Sequence, residues 1–160
     1  MHPKSETGEY LAVVLDAFSR RCLGWALQRS LESALVLEAL RMALMRRHPR
    51  LGLVHHSERG VQYASRDYTT LLEQHGIRIS MSRLVTPYDN ARAESFMKTL
   101  KYEELYRTEY RDLEEARALI KQFLEKVYNQ QRLHSALGYR PPLEFERSLR
   151  SSQALGKRQA

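Results

Sequence analysis

Two carboxylates stand out by their positions. Glu58 follows a short apolar run, residues 51–54, that reads as a buried strand. It therefore falls at a strand's carboxyl end, where ligand sites gather in open α/β sheets. Glu94 is in the first turns of a helix that follows a loop, with thirty-five residues between the two acids. A pair of acids on a strand end and a helix can hold Mg²⁺ or Mn²⁺, hard cations that prefer oxygen ligands. Two such ions can activate an attacking oxygen and stabilise a leaving one at a phosphodiester. Arg92 is close to Glu94 in sequence, and Lys98 and Lys101 share its helix face at i+4 and i+7, where they could serve as phosphate-binding companions. The same spacing also describes a solvated carboxylate in an ordinary i, i+4 ion pair, so spacing alone leaves both readings open.

Other residues carry weaker signals. His55 and His56 could steady the site or donate to phosphate, or could simply pack beside a strand end. Arg132 and His134 could touch DNA or serve as solvated or capping groups. Trp25 reads as core filling. Cys22 reads as a small buried residue, because no base is placed beside it to make a nucleophile. A single cysteine excludes an internal disulfide and a cysteine zinc site.

The elements that must position the acids alternate along the chain. The runs 10–15 and 22–27 predict an antiparallel hairpin across the turn 16–21. Neither alternates strictly, so both faces of the sheet are expected to be covered. Ser30 is the expected cap of a helix over 31–47, ended by His48-Pro49. Strands at 51–54 and 77–80 flank a helix over 65–75 that stops at Gly76, which predicts parallel neighbours with a right-handed crossover. Residues 81–90 read as a loop in which Asp89 or Asn90 caps the Glu94 helix, with Ala93, Met97 and Leu100 on its inner side. Asp112 and Glu115 have capping-box spacing, followed by Leu113, Ala116, Ile120, Phe123 and Val127 at helical period. Pro141-Pro142 opens a last turn near 143–149. The order implies an α/β layer fold with a mixed sheet.

The chain of 160 residues, 42% apolar and 28% charged, has room for one folded domain and is not disordered in composition. It divides into a flexible lead-in (1–8), a core (9–147) and a frayed basic tail (148–160). Without a membrane-length apolar run or an apolar signal core, a cytoplasmic protein is expected. A net charge of +7 and a pI near 9.7 point mildly toward a polyanion such as nucleic acid.

Four segments, in order, resemble the catalytic core of bacterial insertion-sequence transposases, which group with retroviral integrases in the ribonuclease H-like superfamily. They are residues 10–21 (YLAVVLDAFSRR) with Gly24-Trp25, residues 55–65 (HHSERGVQYAS), residues 88–96 (YDNARAESF) running on to Thr99-Leu100-Lys101, and residues 128–139 (YNQQRLHSALGY) with Pro142. The resemblance covers roughly residues 9–147. It implies a ribonuclease H-like mixed sheet with flanking helices and three acidic ligands for Mg²⁺ or Mn²⁺: Asp, Asp, then Glu thirty-five residues on.

Glu94 takes the third position. Glu58 takes the second, where the family carries Asp. The first Asp belongs to a core strand upstream of residues 10–15, so the resemblance implies a truncated copy with that strand missing. Asp16 aligns with a non-catalytic family Asp. An Asp-to-Glu change moves a carboxylate by about 1 Å, and productive geometry tolerates roughly 0.5 Å, so impaired catalysis is expected. Loss of the first strand is expected to leave two strand edges bare or closed on each other. The resemblance also implies DNA as partner, a homo-oligomer on paired element ends, an upstream helix-turn-helix protein, and DNA contacts from Arg92, Lys98, Lys101 and Arg132. The alternative is a non-catalytic DNA-binding module, or one that pairs with and blocks an intact transposase.

Overall fold

A computed structural model describes residues 8–57, 65–81, 87–105 and 108–158. Strands β1 (Tyr10–Leu15) and β2 (Cys22–Gln28) form the expected antiparallel hairpin, with Val13 opposite Trp25 and a register shift between Val14 and Leu15. Every residue from Cys22 to Leu27 is buried, as the lack of alternation required. At the turn Asp16 acts as a local scaffold. Its Oδ1 accepts from the backbone N–H groups of Phe18 and Ser19, at 2.8 Å each. Arg20 closes the turn at φ +61°, in the left-handed region where side chains are disfavoured.

Helix α1 (Ser33–Arg46) lies across the hairpin and buries Leu35, Val36, Ala39, Leu40 and Ala43. It starts later than expected, and Ser30 is not its cap. Glu32 occupies the cap position without a side-chain bond, so burial of the Leu35–Val36 face, not a cap, sets the start. Gly24 permits the close approach of α1. A Cβ there would sit 2.8 Å from the Ala43 nitrogen and nearer still to the Ala39 carbonyl oxygen.

Strands β3 (Val54–Ser57) and β4 (Arg78–Met81) pair in parallel, His55 opposite Ile79, with α2 (Arg66–Gln74) between them in the chain. The buried strand expected at 51–54 is corrected. Residues 51 and 52 form a turn, Gly52 has φ +83°, and Leu51 is 89% exposed, so pairing begins only at Val54. Ser65 caps α2 by accepting from the Tyr68 N–H, and Gly76 at φ +66° reverses the chain after it.

Among the described residues the two pairs of strands are not joined by backbone hydrogen bonds. Side chains connect what the backbone does not. One core layer joins Ala12 and Ala26 of the hairpin to Leu35 and Leu40 of α1, Tyr68 and Leu72 of α2, and Ile77. On the opposite face, Leu11, Cys22, Trp25 and Leu27 pack on Phe96, Met97, Leu100, Ile120, Leu124 and Tyr128. The hairpin is thus the middle of three layers.

Helix α3 (Pro87–Leu100) begins earlier than expected, so residues 89 and 90 lie inside it, not at its cap. Proline suits a first helical turn because it lacks only an N–H with no partner there. A π-helical segment (Lys101–Leu105) follows. Helix α4 (Leu113–Gln122) is capped by Asp112, whose Oδ1 accepts from the Glu115 N–H at 2.8 Å. The Glu115 carboxylate returns to the Arg111 N–H, one residue before the cap. Helix α4 runs directly into a second π-helical segment (Phe123–Gln131), which the helical period did not reveal. After a tight turn closed by Gly138, α5 (Pro142–Arg158) is far longer than the turn expected at 143–149.

Candidate nucleic-acid interface

Helix α3 presents two different faces. At roughly 100° per residue, Glu94 and Lys98 share one side, while Arg92, Ser95, Phe96 and Thr99 share another, roughly 130° around the helix. Glu94 and Lys98 are both exposed. No ion pair joins them among the described residues, so the simple salt-bridge reading of their spacing does not hold. Lys101 is half-buried and opens the π-helical segment, so it leaves the regular α spacing with Glu94. Glu58, the other candidate ligand, lies outside the described residues. Among those described, no three His, Cys, Asp or Glu side chains gather closely enough to hold a metal ion.

Arg92 and Arg132, named from sequence as DNA contacts, come together on the other face of α3. They line a cavity of about 270 Å³ with Arg20, His134, Ser95 and Thr99. Arg92 Nη1 donates to the Ala17 carbonyl at 2.8 Å, tying α3 to the hairpin turn. Arg132 is ion-paired with Glu103. His134 stacks edge-on against Tyr128, centroids 5.3 Å apart, and its Nε2 is buried without a hydrogen-bond partner among the described residues. Burial lowers the affinity of His134 for a proton, and the nearby Arg132 and Arg20 lower it further. The ring is therefore neutral near pH 7, between cations. Sequence reasoning missed Arg20. The available signal was an arginine at a hairpin position that favours glycine.

Beside this pocket the turn carries a second cluster, in which cations and carboxylates are paired. Arg21 Nη1 donates to Glu146 Oε2 at 3.0 Å, Ser19 Oγ donates to Glu146 Oε1 at 2.6 Å, and Arg47 bridges Glu146 and Asp16. Burial alone would push the Glu146 carboxyl up. The Ser19 hydroxyl, with Arg47 and Arg21, outweighs that and holds it below its ordinary value. Asp16 is thus held by the turn and by Arg47. Asn129 adds a neutral clasp. Its Oδ1 accepts from the Cys22 N–H at 2.9 Å and its Nδ2 donates to the Cys22 carbonyl at 3.0 Å.

The remaining candidates resolve toward structure. Burial, then the charge of His56, lowers the His55 pKa to about 4, and its Nε2 lies 2.7 Å from the Tyr68 hydroxyl. Burial pushes the Cys22 thiol up to about 12, which leaves it inert. Trp25 is 7% exposed, in the core.

A family model described as "Integrase core domain" matches residues 2–87, and a second of the same description matches residues 75–142. The chain belongs to the integrase core domain family. It is 41% identical over 145 residues to the transposase for insertion sequence element IS904 of Lactococcus lactis, covering 91% of this chain and 57% of that protein. It is 40% identical over 137 residues to transposase InsF for insertion sequence IS3A of Escherichia coli, covering 86% and 48%. The integrase core described here thus spans about half the length of the curated relatives it matches. Its fold resembles the catalytic core domain of BIV integrase, with TM-score 0.68 and 15% identity over 96% of this chain and 95% of that one. It also resembles the HTLV-2 integrase core in complex with magnesium, in a trimeric form, with TM-score 0.62 and 17% identity over 91% and 90%. These likenesses bear out the ribonuclease H-like α/β fold. No helix among the described residues is long and apolar enough to cross a membrane.

Proposed function

We propose that this chain is the DNA-holding core of an insertion-sequence transposition protein and that, acting alone, it is a weak catalyst of phosphodiester transfer. The observation that carries the reading is α3, which exposes Glu94 and Lys98 at the third acidic position of the family motif while its other face joins Arg92 to a basic pocket. In this reading Lys98, Lys101, Arg92 and Arg132 contact phosphates. In this reading Glu58 and Glu94 contribute to binding Mg²⁺ or Mn²⁺. Glu58 stands where the family carries Asp, and the extra methylene displaces its carboxylate by about 1 Å against a tolerance of roughly 0.5 Å. Asp16 is bound up with Arg47 and the turn, so it does not supply a further ligand.

The protein works as a homo-oligomer on paired element ends, with sequence reading by a helix-turn-helix partner. The test is incubation of the purified chain with element-end DNA and Mg²⁺ or Mn²⁺. Binding without end cleavage or strand transfer is expected, and efficient metal-dependent strand transfer by the chain alone would overturn the catalytic half of the reading. A second reading is a non-catalytic module that pairs with an intact transposase and blocks it. The commitment of Asp16 and the substitution at position 58 favour it. Co-expression with an intact relative would then lower transposition frequency.

A further inference from the structure

We infer that Tyr139, on the turn that follows the second π-helical segment, is a stacking platform for an unpaired DNA base. The inference rests on the DNA reading above and deepens it, because it names a contact to a base where that reading names contacts to phosphates. Three observations about this one residue support it.

The first is exposure. Tyr139 is 72% exposed, and among the described residues its ring makes no aromatic contact and its hydroxyl no hydrogen bond. An aromatic ring left in water forgoes the burial that makes such side chains favourable. Leu133, at the start of the same turn, is also largely exposed, at 61%.

The second is backbone conformation. Tyr139 adopts φ +57° directly after Gly138 at φ +68°, so two successive residues are left-handed. Glycine would take the second position without the clash that a Cβ brings. A bulky side chain kept in such a conformation points to a use for that side chain.

The third is a stiff mount. The turn is closed on itself: the His134 N–H donates to the Arg140 carbonyl at 3.3 Å, the Tyr139 N–H to the His134 carbonyl at 2.9 Å, and the Gly138 N–H to the Ser135 carbonyl at 3.1 Å. Leu137 of the turn is buried. Arg140 ties the turn to α5, where its Nη1 donates to Ser148 Oγ at 2.9 Å and its guanidinium lies 5.5 Å from the centre of the Phe145 ring. A ring held this way has little freedom to lose on binding.

The size of the apolar surface selects the occupant. Ser135, Ala136 and Gly138 are exposed between Leu133 and Tyr139, and none adds a large apolar side chain. One ring and one leucine match a single base, whereas a protein partner needs about 800 Å² per side. Leu133 and Ser135 line the same cavity as Arg20 and Arg132, so cations stand beside the turn, and the whole chain carries a net charge of +7. Aromatic rings next to cations are how proteins hold single-stranded nucleic acid without reading its sequence. Bases inside a duplex are already stacked on one another, so the platform serves a base at a frayed end, a gap or an overhang.

The test uses the whole chain with a duplex bearing a short single-stranded overhang that contains 2-aminopurine, and a blunt duplex for comparison. The wild type should prefer the overhang and should change the 2-aminopurine fluorescence on binding. Tyr139→Gly removes the ring and relieves the backbone, so its melting temperature is expected to hold or rise. Its affinity for the overhang duplex should fall about 5-fold or more, the lower end for one base–aromatic stack, and the fluorescence change should be lost. Its slope of log affinity against log salt should stay as in the wild type, because stacking releases no counterion. Tyr139→Asn, which also tolerates the left-handed region, should match Tyr139→Gly. Tyr139→Phe keeps the ring and should match the wild type.

Two results would overturn the inference and leave the DNA reading standing: equal affinities and fluorescence changes for wild type, Tyr139→Gly and Tyr139→Asn, or a Tyr139→Phe variant as weak as Tyr139→Gly, which would assign the effect to the hydroxyl. A wild-type chain with no affinity for either duplex would overturn both.

Discussion

Arg20 and Arg21 are neighbours in one hairpin turn, yet their surroundings differ in kind. Arg21 reaches a carboxylate shared with Ser19 and Arg47, and that cluster ties the turn to α1 and α5. Arg20 faces Arg92, Arg132 and a neutral His134 across a cavity. One cluster balances its charges internally and stabilises the fold. The other gathers three arginines along one cavity, with Arg132 paired to Glu103. A basic protein does not spread its arginines evenly. Here three of them sit where three chain segments meet.

The sharpest way to break the comparison is to remove the shared acid. Glu146→Ala leaves Arg21, Arg47 and the Ser19 hydroxyl without their common partner. It should destabilise by about 3 kcal/mol in urea unfolding, the low end of what breaking a buried pair costs. A change below about 0.5 kcal/mol would mean that the paired cluster is ornamental. Asn129→Leu tests the neutral clasp of the same region. It strands the buried N–H and carbonyl of Cys22, with an expected loss of about 2 kcal/mol.

The pH dependence of stability sharpens the comparison further. Because the Glu146 carboxyl is held below its ordinary value, its contribution is present above the unfolded-state pKa of about 4.3 and is lost as pH falls through the folded value. The wild type should therefore lose stability more steeply than Glu146→Gln below about pH 4.3. Parallel acid unfolding curves for the two would contradict this. The smallest effect belongs to the pocket. Arg20→Gly should shift stability by less than about 1 kcal/mol, in the stabilising direction, because relief of the left-handed strain is partly offset by glycine's freedom in the unfolded chain.

Periodicity and motif order made much of this legible in the sequence. The antiparallel hairpin, the parallel pairing after a helical crossover, the Ser65 to Gly76 limits around α2 and the Asp112 cap all follow from local patterns that the packing does not override. Three kinds of feature were not local. The run at 51–54 is apolar enough for a buried strand, but the turn at Leu51-Gly52 delays pairing until Val54. The π-helical segments keep a nearly helical period, so sequence alone cannot separate them from α-helix. The pocket draws Arg20, Arg92 and Arg132 from positions 72 and 40 residues apart, and no spacing rule spans such distances. The acids are a contrasting case. Their significance came from family resemblance, while the described geometry of Glu94 alone is that of an exposed surface carboxylate.

The central claim is that this chain grips the DNA backbone through clustered cations and needs no divalent ion to do so. Its most direct test is equilibrium binding of the purified chain to a fluorescent duplex between 50 and 200 mM salt, with and without Mg²⁺. With three or four phosphate contacts, affinity should fall with a log–log slope of roughly −3 to −4, and chelation of Mg²⁺ should not abolish binding. A flat salt dependence, or binding that appears only when Mg²⁺ is added, would contradict the account.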